Sequence, residues 1–179
     1  MEDKEILQKF SEPDTRNAAF NQLVRKYQKM VYWHIRKMVI DHDDADDLTQ
    51  DTFIKAYKSL DNFRGDAKIY TWLYRIATNE CLNFLNKKRK KFLLPIYDVE
   101  NELLQKIDTA INPEIDQVQV KLQKALLKLP EKQRLVFNMK YYDDLKYDDI
   151  SEILGTSVGA LKASYHLAVK KIEEYINNH

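Results

Sequence analysis

The stretch Asp61–Lys91, DNFRGDAKIYTWLYRIATNECLNFLNKKRKK, decides how the chain is read. It opens as a short loop around its only glycine, Gly65, and then runs from Asp66 to Lys91 without Gly or Pro, the residues that most readily interrupt a helix. Tyr70, Trp72 and Tyr74 crowd its start, and five consecutive cations, Lys87 to Lys91, close it. Aromatic faces stack on unpaired bases while Lys and Arg neutralise phosphates, so an aromatic, cationic helix suits single-stranded or locally opened nucleic acid. The same residues also suit a plainer role. Trp72, Leu73, Ile76 and Ala77 have the i, i+4 spacing of a core-facing stripe, and a basic run at a helix C-terminus complements the helix dipole. On this stretch alone both readings stand.

Upstream, Asp3 to Phe10 predicts a short helix that ends before the turn Ser11-Glu12-Pro13-Asp14. From Ala18 to Val39, Phe20, Leu23, Val24, Tyr27, Val31, Ile35 and Met38 recur every three or four places, the pattern of a long amphipathic helix. Asp41-His42-Asp43-Asp44 breaks the pattern and offers a cap; Ala45, Leu48, Thr49, Phe53, Ala56, Tyr57 and Leu60 restart it. In this second helix Asp44, Asp47 and Asp51 share a face, with Asp46 and Gln50 alongside. Early acids favour the dipole, but the cluster is more negative than a cap requires, and a basic partner surface explains the excess. His42 with several carboxylates also has metal-binding chemistry, yet no second His-rich segment supports it.

Downstream of Lys91 the periodicity lapses. Phe92 to Pro95, an acidic stretch from Asp98 to Asp116, and Asn112-Pro113 read as a connection of roughly twenty residues, with a short helix around Glu102 to Ile107; that length is uncommon inside a compact domain. Helices are expected from Glu114 to Leu129 and, after Pro130, from Glu131 to Tyr141. In YDDISEILGTSVGALKASYHLAVKKIEEYI, Ile150, Ile153 and Leu154 form one short apolar face, Gly155 ends it, and Val158, Leu161, Tyr165 and Ala168 begin another. Two short helices joined by a glycine turn make a helix-turn-helix, and the plainer alternative is a helical hairpin. The expectation is an all-α chain of two small helical domains, 1–91 and 114–179, joined by a flexible linker, 92–113, with the helix-turn-helix in the second.

The totals remove several classes. Charged residues are 32% of the 179 and the net charge is only +1, but acids and bases are segregated along the chain, a pattern suited to two partners of opposite sign. Cys81 is the sole cysteine, which excludes an internal disulfide and fits a reducing compartment. The start, MEDKEILQKF, has neither the basic residues nor the apolar run of a signal peptide, and no apolar stretch approaches the ~20 residues of a membrane span, so a cytoplasmic protein without direct membrane insertion is expected. The four histidines, His34, His42, His166 and His179, are scattered, and there is no glycine-rich phosphate loop. Neither catalysis, a cofactor nor a resident metal is expected.

From about Phe20 to Ile176 the chain resembles the bacterial RNA polymerase sigma factors, specifically the two-domain extracytoplasmic-function (ECF) class of the sigma-70 family. FNQLVRKYQKMVYWHI is similar to the opening helix of its second region, and ADDLTQDTFIKAYKSL to its acidic polymerase-binding helix, with D-D-x-x-Q-[DE]-x-F intact as Asp46, Asp47, Gln50, Asp51 and Phe53. FRGDAKIYTWLYRIATNECLNFLNKKRK resembles the segment that melts the promoter and reads the minus-ten element. LLKLPEKQRLVFNMKYYDDLKYDDISEILGTSVGALKASYHLAVKKI resembles the fourth region, which reads the minus-thirty-five element.

The resemblance implies a function for each stretch. Asp46, Asp47, Gln50 and Asp51 would dock on the polymerase core. The loop residues Asn62, Phe63, Arg64, Gly65, Asp66 and Lys68 would hold an extruded base of the opened strand, with Tyr70, Trp72, Tyr74, Arg75 and Asn79 lining or supporting its path. Lys87, Lys88, Arg89 and Lys90 would follow phosphates beside it. Arg134 and Lys170, with Lys132 and Lys171, would meet phosphates of the minus-thirty-five duplex, while Ser157, Gly159, Ala160, Lys162, Ala163 and His166 would face its base edges. The partners implied are core polymerase, promoter DNA both double-stranded and melted, and an anti-sigma factor.

The chain departs from the family at Ser151, Ala160, Tyr165 and Val169, where many members carry alanine, threonine and arginines. An arginine-poor recognition helix favours thymine-methyl contacts or shape readout over bidentate guanine contacts. Two other functions fit parts of the chain: a helix-turn-helix DNA-binding transcriptional regulator, and a metal-dependent phosphohydrolase built on His42, Asp43, Asp44 and Asp47.

Overall fold

A computed structural model describes residues 2–91 and 117–179. The expected linker 92–113, the short helix around Glu102 to Ile107 and the helix start at Glu114 lie outside the described residues. The amino-terminal group consists of α1 (Asp3–Phe10), α2 (Arg16–Val39), α3 (His42–Ser59), a 3-10 turn (Leu60–Asn62) and α4 (Ile69–Lys91). The carboxy-terminal group consists of α5 (Gln117–Leu127), α6 (Glu131–Phe137), a π-helical turn (Asn138–Tyr142), α7 (Tyr147–Leu154) and α8 (Val158–Asn178). Among the described residues no strand occurs.

The apolar repeat of α2 builds the first core. Leu23, Val31 and Ile35 are fully buried, and they meet Leu73, Ala77 and Cys81 of α4 together with Ala45 and Ala56 of α3 in one cluster. Each buried Leu, Ile or Val contributes about 1.5–3 kcal/mol, so this stripe outweighs any surface ion pair nearby. Val136, Met139, Leu145, Ile150 and Ile153 of the carboxy-terminal group belong to the same cluster, so the two helical groups share one apolar interior. A second cluster, with Ala125, Leu126, Leu129, Phe137, Ala168 and Ile172, holds α5 and α6 on α8.

Two element boundaries have identifiable physical causes, and the second differs from the sequence expectation. The run free of Gly and Pro begins at Asp66, but α4 begins at Ile69 because Gly65 sits at φ 78 and the helical ladder starts only at the Lys68 carbonyl, which accepts from the Trp72 amide at 3.1 Å. The helix expected to reach Tyr141 stops as an α-helix at Phe137 and widens into the π turn, which closes with the Asp143 amide donating to the Asn138 carbonyl at 3.2 Å. That widening carries Asp143 to the junction with α2, where it meets Lys37.

The helix-turn-helix is formed by α7 and α8. Gly155 caps α7 at φ 63, ψ 34, its amide donating to the Ser151 carbonyl at 2.8 Å, and Ser157 caps α8 by accepting from the Ala160 amide at 3.3 Å. A Cβ on residue 155 would meet nothing within 4 Å, so only backbone conformation demands glycine there. Gly155→Ala is therefore expected to lower stability by about 1 kcal/mol. Chemical denaturation followed by circular dichroism measures this, and an unchanged midpoint would mean the turn is not left-handed in solution.

Candidate nucleic-acid interface

The loop before α4 is anchored at its first residue. The Arg16 guanidinium grips both Asp61 carboxylate oxygens, at 2.8 and 2.6 Å, while lying 4.0 Å from the centre of the Phe10 ring. Beyond that anchor, Asn62, Phe63, Arg64, Asp66, Ala67, Trp72 and Arg75 surround an open concavity of about 200 Å³. Phe63 and Trp72 form its aromatic wall, their ring centroids 5.2 Å apart and their planes tilted by 51°. Arg64, Asp66 and Arg75 are exposed at the rim and offer both hydrogen-bond donors and an acceptor. An aromatic wall with a polar rim suits a nucleobase turned out of its stack, whose face stacks on a ring while its edge bonds. Trp72 is half-buried, packs against the amino-terminal core and also lines the concavity.

Tyr74, expected along the path of the opened strand, is 1% exposed and packs on His34 with ring centroids 4.5 Å apart, so it supports α4 from within. Asn79 is exposed on the same helix. Lys68 and Tyr70 are turned to the carboxy-terminal group: Lys68 Nζ lies 3.1 Å from Asp149 Oδ1, and the Tyr70 hydroxyl donates to Asp149 Oδ2. The hydrogen bond to Asp149 holds the Lys68 ammonium above its usual range, and the Asp149 carboxyl lies below its own because Tyr70 and Lys68 outweigh the upward push of burial. In the basic run Lys87 and Lys90 are exposed and Lys88 is half-buried near Phe84, whereas Arg89 pairs with Glu131 of α6.

The acidic face of α3 is laid out as the spacing predicted, with Asp47, Gln50 and Asp51 exposed and Asp46 half-buried. Asp41 caps the helix by accepting from the Asp44 amide at 3.0 Å, and His42 bridges the Tyr32 hydroxyl at 2.7 Å and Asp46 at 3.4 Å. Among the described residues no three or more His, Cys, Asp or Glu converge on a metal position, so the arrangement considered for a phosphohydrolase is not assembled. Beside Gln50 lies a feature that the sequence reading missed, an apolar groove of about 490 Å³ between α2 and α3, bordered by Phe20, Val24, Phe53, Ile54 and Tyr57. Its signal was Ile54, an aliphatic residue off the buried stripe of α3 that remains 51% exposed.

In the carboxy-terminal group, Ser157, Gly159, Ala160, Lys162, Ala163, His166 and Lys170 are all exposed along one side of α8, while Leu161 and Ala168 are buried opposite them. An added Cβ at residue 159 would meet nothing within 4 Å, so this small-residue face is open to close approach from outside. Lys132 and Lys171 are exposed, but Arg134, expected at a phosphate, is 7% exposed and is turned into the group's interior.

The model of Sigma-70 region 2 matches residues 23–91, and that of Sigma-70, region 4, matches residues 119–172. The RNA polymerase sigma-H factor of Pseudomonas aeruginosa is 31% identical, with 97% of this chain and 93% of that protein covered. The ECF RNA polymerase sigma factor SigW of Bacillus subtilis is 35% identical, with 83% of each chain covered. The chain belongs to the sigma-70 family, in its extracytoplasmic-function class. Among solved structures, CnrH in complex with the cytosolic domain of CnrY shares the fold at TM-score 0.72 and 24% identity, covering 98% of this chain and 97% of that one. The sigma factor RpoE in complex with the anti-sigma factor NepR, from Bartonella quintana, does so at TM-score 0.69 and 22% identity, covering 88% and 96%.

Behind the interface, His34 is 1% exposed, with Nε2 2.8 Å from the Thr78 hydroxyl and Nδ1 3.8 Å from Asp143 Oδ2. Burial pushes the imidazole below its ordinary value of 6.5, so it sits neutral in the core. A histidine with a lowered folded-state pKa contributes stability that is complete above the unfolded value and is lost as pH falls from 6.5 towards the folded one. The melting temperature is thus expected to fall as pH is taken from 7.5 to 5. His34→Gln should flatten that slope; an equal slope in the variant would show that other groups carry the acid sensitivity.

Proposed function

We propose that this chain is the promoter-specificity subunit of bacterial RNA polymerase, binding the core enzyme, reading the minus-ten and minus-thirty-five elements, and capturing the opened strand. The observation that carries it is the concavity walled by Phe63 and Trp72 at the head of a cationic helix, in the same chain as an exposed recognition face on α8. A regulator that only grips duplex DNA has no use for a pocket shaped to a single unpaired base. Its work is recognition, with no catalysis of its own, and its place is the cytoplasm, where core polymerase meets DNA.

Asp46, Asp47, Gln50 and Asp51 present negative charge to a basic surface of the core, and the groove beside Gln50 supplies the apolar contact that charge alone lacks. Asn62 to Lys68, with Trp72, Arg75 and Asn79, receive the minus-ten strand, and Lys87 to Lys90 follow its phosphates. Ser157, Gly159, Ala160, Lys162, Ala163 and His166 approach the minus-thirty-five major groove, with Lys170 on its backbone. The domains of this function are 1–91 for core and minus-ten binding and 114–179 for the minus-thirty-five element, on either side of the linker 92–113. An anti-sigma partner would act by covering the groove and acidic face of α3.

The test is transcription in vitro by purified bacterial core polymerase on a pool of promoter fragments, with and without this protein. Specific transcripts that require its addition are expected, and they reveal both recognised elements. No transcripts from active core of its own source and folded protein would return the chain to a DNA-binding regulator. Asp47→Lys with Asp51→Lys is expected to weaken core binding by about ten-fold or more while helicity is kept; unchanged binding would remove the docking face. Lys162→Ala with His166→Ala is expected to alter selection at the minus-thirty-five element alone, and a change confined to the minus-ten element would overturn the assignment of the two halves.

A further inference from the structure

The concavity assigned above to an extruded base is held from its two ends. Among the described residues no hydrogen bond reaches Arg64 to Ala67. Phe63 donates its amide to the Leu60 carbonyl at 3.1 Å and rests its ring against Trp72. Downstream, the loop is fixed where Ile69 is buried at the start of α4. Upstream, Leu60 is buried, which fixes a point on the chain but not the direction in which the next peptide leaves it. That direction depends on Asp61, whose carboxylate is held by Arg16.

Arg16 is the first residue of α2, 45 positions from Asp61 in the chain. Its two terminal nitrogens reach the two carboxylate oxygens at 2.8 and 2.6 Å. The guanidinium carbon lies 4.0 Å from the centre of the Phe10 ring and 5.4 Å from that of Tyr57, and these two rings meet edge to face with centroids 5.6 Å apart. The Thr15 hydroxyl donates to the Lys9 carbonyl at 2.7 Å and the Tyr57 hydroxyl to Asn17 at 3.0 Å, so the start of α2 is tied to both α1 and α3. A planar fork fixes the orientation of a carboxylate as well as its place, which a lysine ammonium does not. With Asp61 still 56% exposed, the pair contributes little to stability, and its effect lies in geometry. Phe10 and Arg16 precede residues 23–91, the stretch matched to Sigma-70 region 2, so this brace comes from outside that region.

We propose that Arg16 is a positioning residue for the extruded base: through Asp61 it orients the turn that carries Asn62 and Phe63, so that the aromatic wall stands ready before the base arrives. A wall ordered in advance loses less conformational freedom on binding. Arg16 also neutralises a carboxylate beside an anionic strand, a separate effect that a charge-free pair isolates. The inference rests on the reading of the concavity as a base site, and the experiment separates the two.

Holoenzyme is assembled from core polymerase and the full chain, as wild type, Arg16→Met, Arg16→Lys, or Arg16→Met with Asp61→Asn. The probe is a fluorescein-labelled promoter fragment, recovered from the transcription experiment, whose minus-ten element is single-stranded; a series carries one abasic site at each minus-ten position in turn. Fluorescence anisotropy gives the affinities. The wild type is expected to lose about ten-fold or more at one abasic position, that of the extruded base. Arg16→Met and Arg16→Lys should each bind the intact fragment about five-fold more weakly, and that penalty should vanish at the same abasic position and persist at the others. The charge-free pair should keep the penalty, and melting temperatures should fall by at most about 4 °C. Variants that bind as wild type, or a penalty equal on the intact fragment and at every abasic position, would overturn the positioning role. So would a charge-free pair restored to wild-type affinity, which would leave only electrostatics, or a loss of melting temperature well beyond that limit in both single variants. A wild type indifferent to every abasic position would place the fault in the reading of the concavity itself.

Discussion

Burial of the inner stripe of α4, Ile69, Leu73, Ala77, Cys81 and Leu85, is the constraint on which the rest of the structure depends. A helix that gives one face to α2 and α3 has its remaining side chains placed by the 3.6-residue repeat, and Arg75 and Asn79 therefore project outward. The loop before α4 inherits this geometry. Once Ile69 is buried and Asp61 is gripped by Arg16, the residues between them have little room to wander, and Gly65 takes the left-handed turn that brings Phe63 to Trp72. The surface proposed for a flexible strand is in this way mounted on a helix packed along its inner face, which would keep the ordering cost of the protein side of the complex low.

Charge is distributed by the same logic. The net charge of +1 conceals an acidic face on α3, a basic end on α4, and carboxylates at the starts of α6 and α7. Each acidic group near a helix N-terminus is favoured locally by the dipole, so these side chains satisfy helix formation before any partner arrives. The same residues are then available for partner choice: α3 offers its acids to solvent beside an apolar groove, whereas α6 and α7 turn theirs onto α4. Ion pairs at a partly exposed junction contribute little individually, and the apolar contact of Ile150 and Ile153 supplies most of the docking energy. The carboxylates decide the register of the contact more than they decide its stability.

The core of the junction adds a separate element. His34, Thr78, Lys37 and Asp143 bring polar groups to a place that is otherwise hydrocarbon, and Asp143 reaches it only because α6 widens into the π turn. Burial drives the imidazole to its neutral form, while the Lys37 ammonium helps to hold the Asp143 carboxyl low against burial's opposite push. A polar cluster of this kind gives the contact between the halves one preferred geometry, which a purely apolar face would not.

Much of this protein was legible in its sequence because helical periodicity, capping residues and glycine turns act over a few residues. The apolar repeats of α2, the Asp41 cap, the acidic face of α3, the Gly155 turn and the open face of α8 are all local consequences of side-chain type and spacing. What the tertiary structure alone decided depends on residues far apart in the chain. The inward turn of Tyr74 and Arg134, the groove beneath Ile54, and the pairing of Lys68 with Asp149 across 81 positions have no local signature. A helical wheel shows which residues share a face; which neighbour covers that face is settled by the packing of distant helices, and here that packing determines which cations and carboxylates meet.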